Sequence, residues 1–143
     1  AGACPLAASF DTCGWFARDA ALLEKVGHVL LGETAAGQPG RLLLAEDALR
    51  ISGAAVGAAL QPAVERVQAL LGEARPVTLA EEGLPQWFQV FRVLQGAEVW
   101  AQHGEWVKRA RPRLGPGVKE RVEWTATLAP QEVEAARRRR EQI

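Results

Sequence analysis

From Leu84 to Arg109 two apolar stripes run along the chain at helical spacing, and this limits the fold more than any other feature. One stripe holds Leu84, Trp87, Phe88, Phe91 and Leu94, and the other Val90, Val93, Ala97, Trp100, Gly104 and Val107. Side chains three and four positions apart share a helix face, so two stripes give a wider apolar surface than a surface helix carries. The spacing predicts a helix over 84–109 with partners on two sides. In 143 residues with few strand signals, those partners are expected from a larger body or from a second copy.

The remaining pattern alternates helix and strand signals. Ala1 to Trp15 mix Gly, Pro, Ser, Asp and Thr with single apolar residues and read as an ordered loop. From Arg18 the set Ala21, Leu22, Val26, Val29 and Leu30 predicts an amphipathic helix that Gly32 stops, with acidic Asp19 in its first turn. Glu33 to Gly40 read as a loop, and Arg41 to Glu46, around Leu42-Leu43-Leu44, as a buried strand. A helix over Ala54 to Leu71 follows, with Gly72 as its stop and Pro62 interrupting it, so that either the helix kinks there or two helices abut. Arg75 to Ala80 read as a second strand. Beyond the hinge-like Arg111 to Gly117, helices are expected over Val118 to Thr127 and from Pro130, where proline suits the first turn and Arg137 to Arg140 suit the last. The alternation favours an α/β layer arrangement, helix-rich in this segment.

Charge and composition exclude several functions. Seventeen Lys and Arg balance seventeen Asp and Glu, leaving a formal net charge of zero, so no long-range field draws phosphate backbones or anionic lipid. Nucleic acid and membrane are therefore not expected as partners, and no apolar run reaches the roughly twenty residues of a membrane span. The Arg137 to Arg140 run reads as a solvated helix face, with Glu134 pairing Arg138 and Arg137 pairing Glu141. Two cysteines, Cys4 and Cys13, are too few to frame a secreted domain, so the reducing cytoplasm is the expected setting. The chain opens Ala1-Gly2-Ala3 without an initiator, and a piece of a longer chain is the expectation.

Few residues offer chemistry of their own. Cys13 with His28 or His103 could form a thiolate and base, but a small buried thiol is the commoner fate. His28 falls beside Val26 and Val29, where a partly buried, hydrogen-bonded imidazole is expected. Two Cys and two His without short ligand spacing predict no metal site. Helical spacing explains Trp87 and Trp100 as core. Only Ser9 and Ser52 are serines, neither in a glycine-rich turn that exposes a nucleophile beside backbone donors. With no phosphate loop and no dinucleotide fingerprint, no cofactor is expected.

One stretch alters this reading. Pro5-Leu6-Ala7-Ala8-Ser9-Phe10-Asp11-Thr12-Cys13-Gly14-Trp15-Phe16-Ala17-Arg18-Asp19-Ala20-Ala21-Leu22-Leu23 closely resembles the amidase signature family. The family's Pro-Leu-Ala, Ser-Phe-Asp-Thr, Gly, Ala-Arg and Asp before a Leu-rich helix each have a counterpart here. Arg41 to Asp47, Phe91 to Glu98, His103-Gly104 and Arg111 to Gly117 resemble the bacterial branch, so the likeness spans the chain and is most specific in its first thirty or so residues.

The resemblance implies hydrolysis of a carboxamide to a carboxylic acid and ammonia by a Ser nucleophile, a bridging Ser and a proton-accepting Lys. In the family these precede the Ser-Phe-Asp-Thr stretch. Lys25, Lys108 and Lys119 match no family catalytic position, and Ser9 belongs to another motif, so no catalytic residue is assigned. The implied fold is part of the amidase-signature fold, a mixed sheet flanked by helices, with residues 1–143 a single incomplete segment whose triad lies upstream. The implied partners are the remainder of the amidase chain, a small-molecule amide and a second copy in a homodimer. Phe10, Asp11, Thr12, Cys13 and Trp15 are the expected acyl-pocket residues. Two alternatives stand beside this reading: a non-catalytic scaffold or interaction module that docks through the helix over 84–109, and a cysteine hydrolase built on Cys13.

Overall fold

The computed structural model describes residues 4–32 and 40–143. The loop expected over Glu33 to Gly40 thus lies, Gly40 aside, outside the described residues. The chain divides into two compact units, Thr12–Leu79 and Ala1–Asp11 with Ala80–Ile143.

In the unit Thr12–Leu79, helix α1 (Ala20–Leu31) starts where the side chain of Asp19 accepts the Leu22 N–H at 2.8 Å. Asp19 is the N-cap, one position before the first turn where the pattern put it. Gly32 ends the helix at φ +77°, a conformation that disfavours any residue with a Cβ. Strand β1 (Leu43–Ala45) pairs in parallel with β2 (Arg75–Val77), Leu43 opposite Arg75, Leu44 opposite Pro76 and Ala45 opposite Val77. The sheet formed by the described residues is this two-stranded parallel ladder, smaller than a mixed sheet flanked by helices.

Both strands are shorter than their patterns. β1 stops at Ala45 because Glu46 and Asp47 open helix α2 (Glu46–Ser52), where acidic side chains suit the positive end of the helix dipole. The sequence reading missed this helix. Asp47 is 5% exposed, and its carboxylate accepts the N–H groups of Ala48 and Leu79, both at 3.1 Å. That bond turns Leu79 out of any continuation of β2. Gly53, at φ +86°, separates α2 from α3 (Ala54–Leu71). Pro62 lies inside α3 and the helix continues through it.

In the other unit, α4 (Leu84–Ala110) packs against α5 (Val118–Thr125) and α6 (Pro130–Arg140). Its core joins Val93, Leu94 and Ala136, with Phe10, Val90, Leu128 and Val133 against them. Part of this helix is thus covered by α5 and α6 of the chain itself. The α5 side fits because Gly96 has no side chain: a Cβ there would stand 2.8 Å from a ring carbon of Trp124 and 3.1 Å from a methyl of Leu128. Phe88 and Trp106 keep 53% and 47% of their surface exposed. α5 ends two residues before its pattern, at Thr125, whose hydroxyl turns back onto the Val122 carbonyl at 2.7 Å.

Candidate functional site

The Pro5–Asp11 part of the amidase-like stretch is an ordered turn closed on itself. Asp11 accepts the N–H of Leu6 at 2.9 Å and of Ala7 at 3.1 Å through its two carboxylate oxygens. The Ala7 carbonyl accepts the N–H groups of Phe10 at 2.9 Å and Asp11 at 2.8 Å. Ala7, 1% exposed, is the buried floor of this turn.

Four helix residues hold the turn. Glu98 on α4 accepts the Ser9 backbone N–H at 2.9 Å with one oxygen and the Ser9 hydroxyl with the other. Arg140, in the last turn of α6, donates to Ser9 Oγ at 2.8 Å while its guanidinium lies 4.8 Å from the Phe10 ring centre. Phe10 meets Phe91 edge to face at 5.0 Å, a favoured aromatic geometry. His103 Nε2 lies 2.8 Å from the Pro5 carbonyl oxygen. The Ser9 hydroxyl is thus engaged by a carboxylate and a guanidinium, which hold the turn in place.

The arginine run divides by function. Glu134 pairs with Arg137 at 3.6 Å and Arg138 at 3.4 Å in the solvated manner expected, although Arg137 takes Glu134 where Glu141 was expected. Arg139 and Arg140 instead reach residues far along the chain. Arg139 pairs with Glu82, which also accepts the Trp87 indole N–H at 2.8 Å. Glu82's own backbone N–H, the Trp87 indole and the Arg139 charge together hold its carboxyl below the usual value. Glu120 is also held low, by its own backbone N–H and by the Gly117 N–H at 2.5 Å, at the start of α5.

The predicted pocket residues fall in both units. Phe10 is half-buried in the α4–α6 core and Asp11 is occupied in closing its turn. Thr12 and Cys13 are exposed, while Trp15 is half-buried with its indole N–H on the Leu23 carbonyl at 3.2 Å. Cys13 departs from the buried thiol expected of it, and His28 is exposed where a half-buried imidazole was expected. The sequence reading missed Glu98 and Arg140. Their one signal was a charged residue on an otherwise apolar helix face and a cation at a helix end. Among the described residues, no three His, Cys, Asp or Glu side chains gather to hold a metal ion, and no helix is long and apolar enough to cross a membrane.

Comparison with known proteins places these residues in a lineage. The chain is 30% identical to Amidase 1 of Arabidopsis thaliana, over 95% of its own length and 39% of that protein's. It is 29% identical to Amidase 1 of Oryza sativa subsp. japonica, over 82% of its length and 34% of the relative's. It is 26% identical to the chloroplastic Outer envelope protein 64 of Arabidopsis thaliana, over 93% of its length and 27% of that protein's. The chain thus spans less than two-fifths of each of these relatives. No family model matches it, and no solved structure does.

Proposed function

Because this chain is a relative of the amidase signature family, we propose that it forms the downstream part of an enzyme that hydrolyses a linear carboxamide to a carboxylic acid and ammonia. In this reading the serine nucleophile, bridging serine and lysine base lie upstream in the same polypeptide, and residues 1–143 on their own do not turn over amide. The observation that carries it is the Pro5–Asp11 turn. A stretch with the family's most specific wording is held in one conformation by Asp11 within it and by Glu98 and Arg140 from two helices. Its one hydroxyl is tied to both helices, which supports a loop-positioning role and argues against Ser9 as the nucleophile.

Phe10, Asp11, Thr12, Cys13 and Trp15 then border the acyl side of the substrate pocket, with the small amide as partner and the cytoplasm as setting. No cofactor or metal takes part in this reading. The alternative, a non-catalytic docking module, would use the part of α4 that α5 and α6 leave uncovered, which includes Phe88 and Trp106.

The test is ammonia release from a panel of aryl and aliphatic carboxamides. It is measured for the 143-residue chain and for the longer product of its gene that includes an upstream Lys and a Gly/Ser-rich stretch. Turnover by the longer product alone is expected. Turnover by the short chain would overturn its assignment as a non-catalytic part, and none by the longer product would overturn the amidase reading itself.

A further inference from the structure

Beside Leu6 of the Ser9 turn, α4 and α5 line a groove of about 510 Å³ whose walls include Phe88, Phe91, Val118 and Trp124. That volume falls within the roughly 300–1,000 Å³ of small-molecule sites. Two arginines line the same groove, Arg92 from α4 and Arg121 from α5. Arg92 is half-buried, and its guanidinium lies 4.7 Å from the Trp124 ring centre and 5.8 Å from that of Phe88. Stacking on two rings satisfies its charge in part but leaves its five N–H donors, which lie in the guanidinium plane, to find acceptors. Among the described residues, neither Arg92 nor Arg121 makes a side-chain hydrogen bond or an ion pair. Elsewhere in this unit Arg137, Arg138 and Arg139 each take a carboxylate. The groove therefore pairs apolar and aromatic walls with two cationic forks that lack an anion.

We propose that this groove binds a small organic carboxylate with an aromatic or branched apolar body. The body lies against Phe88, Val118 and Trp124, and the carboxylate takes the N–H groups of Arg92 and Arg121. A planar carboxylate matches the guanidinium fork in a way that a neutral isostere does not. Gly96 lets the groove's Trp124 wall sit close on α4, because a Cβ there would stand 2.8 Å from its ring. The proposal does not rest on the amidase reading.

The test uses 1-naphthoate as probe and 1-acetylnaphthalene as its neutral counterpart. Binding to the 143-residue chain is followed by calorimetry and by the NMR shift of the Trp124 indole, identified with Trp124→Phe. Naphthoate is expected to bind and to move that indole, with the ketone at least about tenfold weaker and Arg92→Gln weakening naphthoate by about tenfold, some 1.4 kcal/mol. Arg121→Gln, at an exposed position, is expected to weaken it several-fold without altering thermal unfolding, and it keeps the test decisive should Arg92→Gln fail to fold. Equal affinity for the ketone, undiminished binding by both arginine variants, a shift confined to other tryptophans, or no binding at all would each overturn the proposal.

Discussion

Glu98 on α4 grips Ser9, 89 positions earlier, by both its backbone N–H and its hydroxyl, so one carboxylate fixes the orientation of the amidase-like turn. Because Ser9 is exposed, water competes for these bonds and their net value is modest. Glu98→Gln is expected to destabilise the folded unit by about 1 kcal/mol. A double-mutant cycle with Ser9→Ala should show coupling of about 0.5–1 kcal/mol in urea unfolding. Additive losses would mean that the pair does not hold the turn.

Gly96→Ala should cost about 1–3 kcal/mol through overpacking, because its Cβ would meet Trp124 at 2.8 Å and Thr125 Cγ2 at 3.2 Å. Tryptophan fluorescence should shift as the Trp124 ring is pushed outward. An unchanged midpoint and spectrum would show that α5 yields freely.

Acid should loosen the joint between α6 and the segment before α4. The Glu82 carboxyl is held below its usual value, so its contribution is present in full above the unfolded value, near 4.3, and is lost as pH falls through the folded value. Between neutral pH and about pH 3, Glu82→Gln should lose less thermal stability than the parent chain. Equal acid sensitivity of the two proteins would rule out this carboxylate as a source of it.

Cys4 and Cys13 are both free and exposed, so a thiol reagent should titrate two groups per chain in native buffer. Alkylation should leave the thermal midpoint unchanged, since neither thiol is packed in a core. In the longer amide-hydrolysing polypeptide, Cys13→Trp is expected to reduce turnover of bulky amides more than of small ones. Identical substrate ranges would remove Cys13 from the pocket, and amide turnover abolished in the short chain by alkylation would instead support the cysteine-hydrolase alternative.

Much of the secondary structure was legible because its causes are local. Asp19 before a run of apolar residues at helical spacing, Gly32 and Gly72 as stops and Pro130 in a first turn act within about one helical turn, and α1, α3, α4 and α6 lie close to where those signals put them. The strands were overextended because Leu42-Leu43-Leu44 carries no mark of where pairing ends. Leu79 leaves the ladder for the carboxylate of Asp47, 32 residues earlier, and no local pattern records that.

The sequence by itself determined the family wording around Ser9, the balanced charge and the breadth of the apolar surface of α4, since residue identity and spacing suffice for these. Only the tertiary structure decided what covers that surface and what each charged side chain does. Arg137 to Arg140 read alike along the chain. Yet Arg138 stays with Glu134 four residues away, while Arg140 reaches Ser9 across 131 residues. A long cation at a helix end takes whichever acceptor the packing of α6 on α4 brings within reach. That choice follows from the geometry of the helix pair, which no local stretch of sequence encodes.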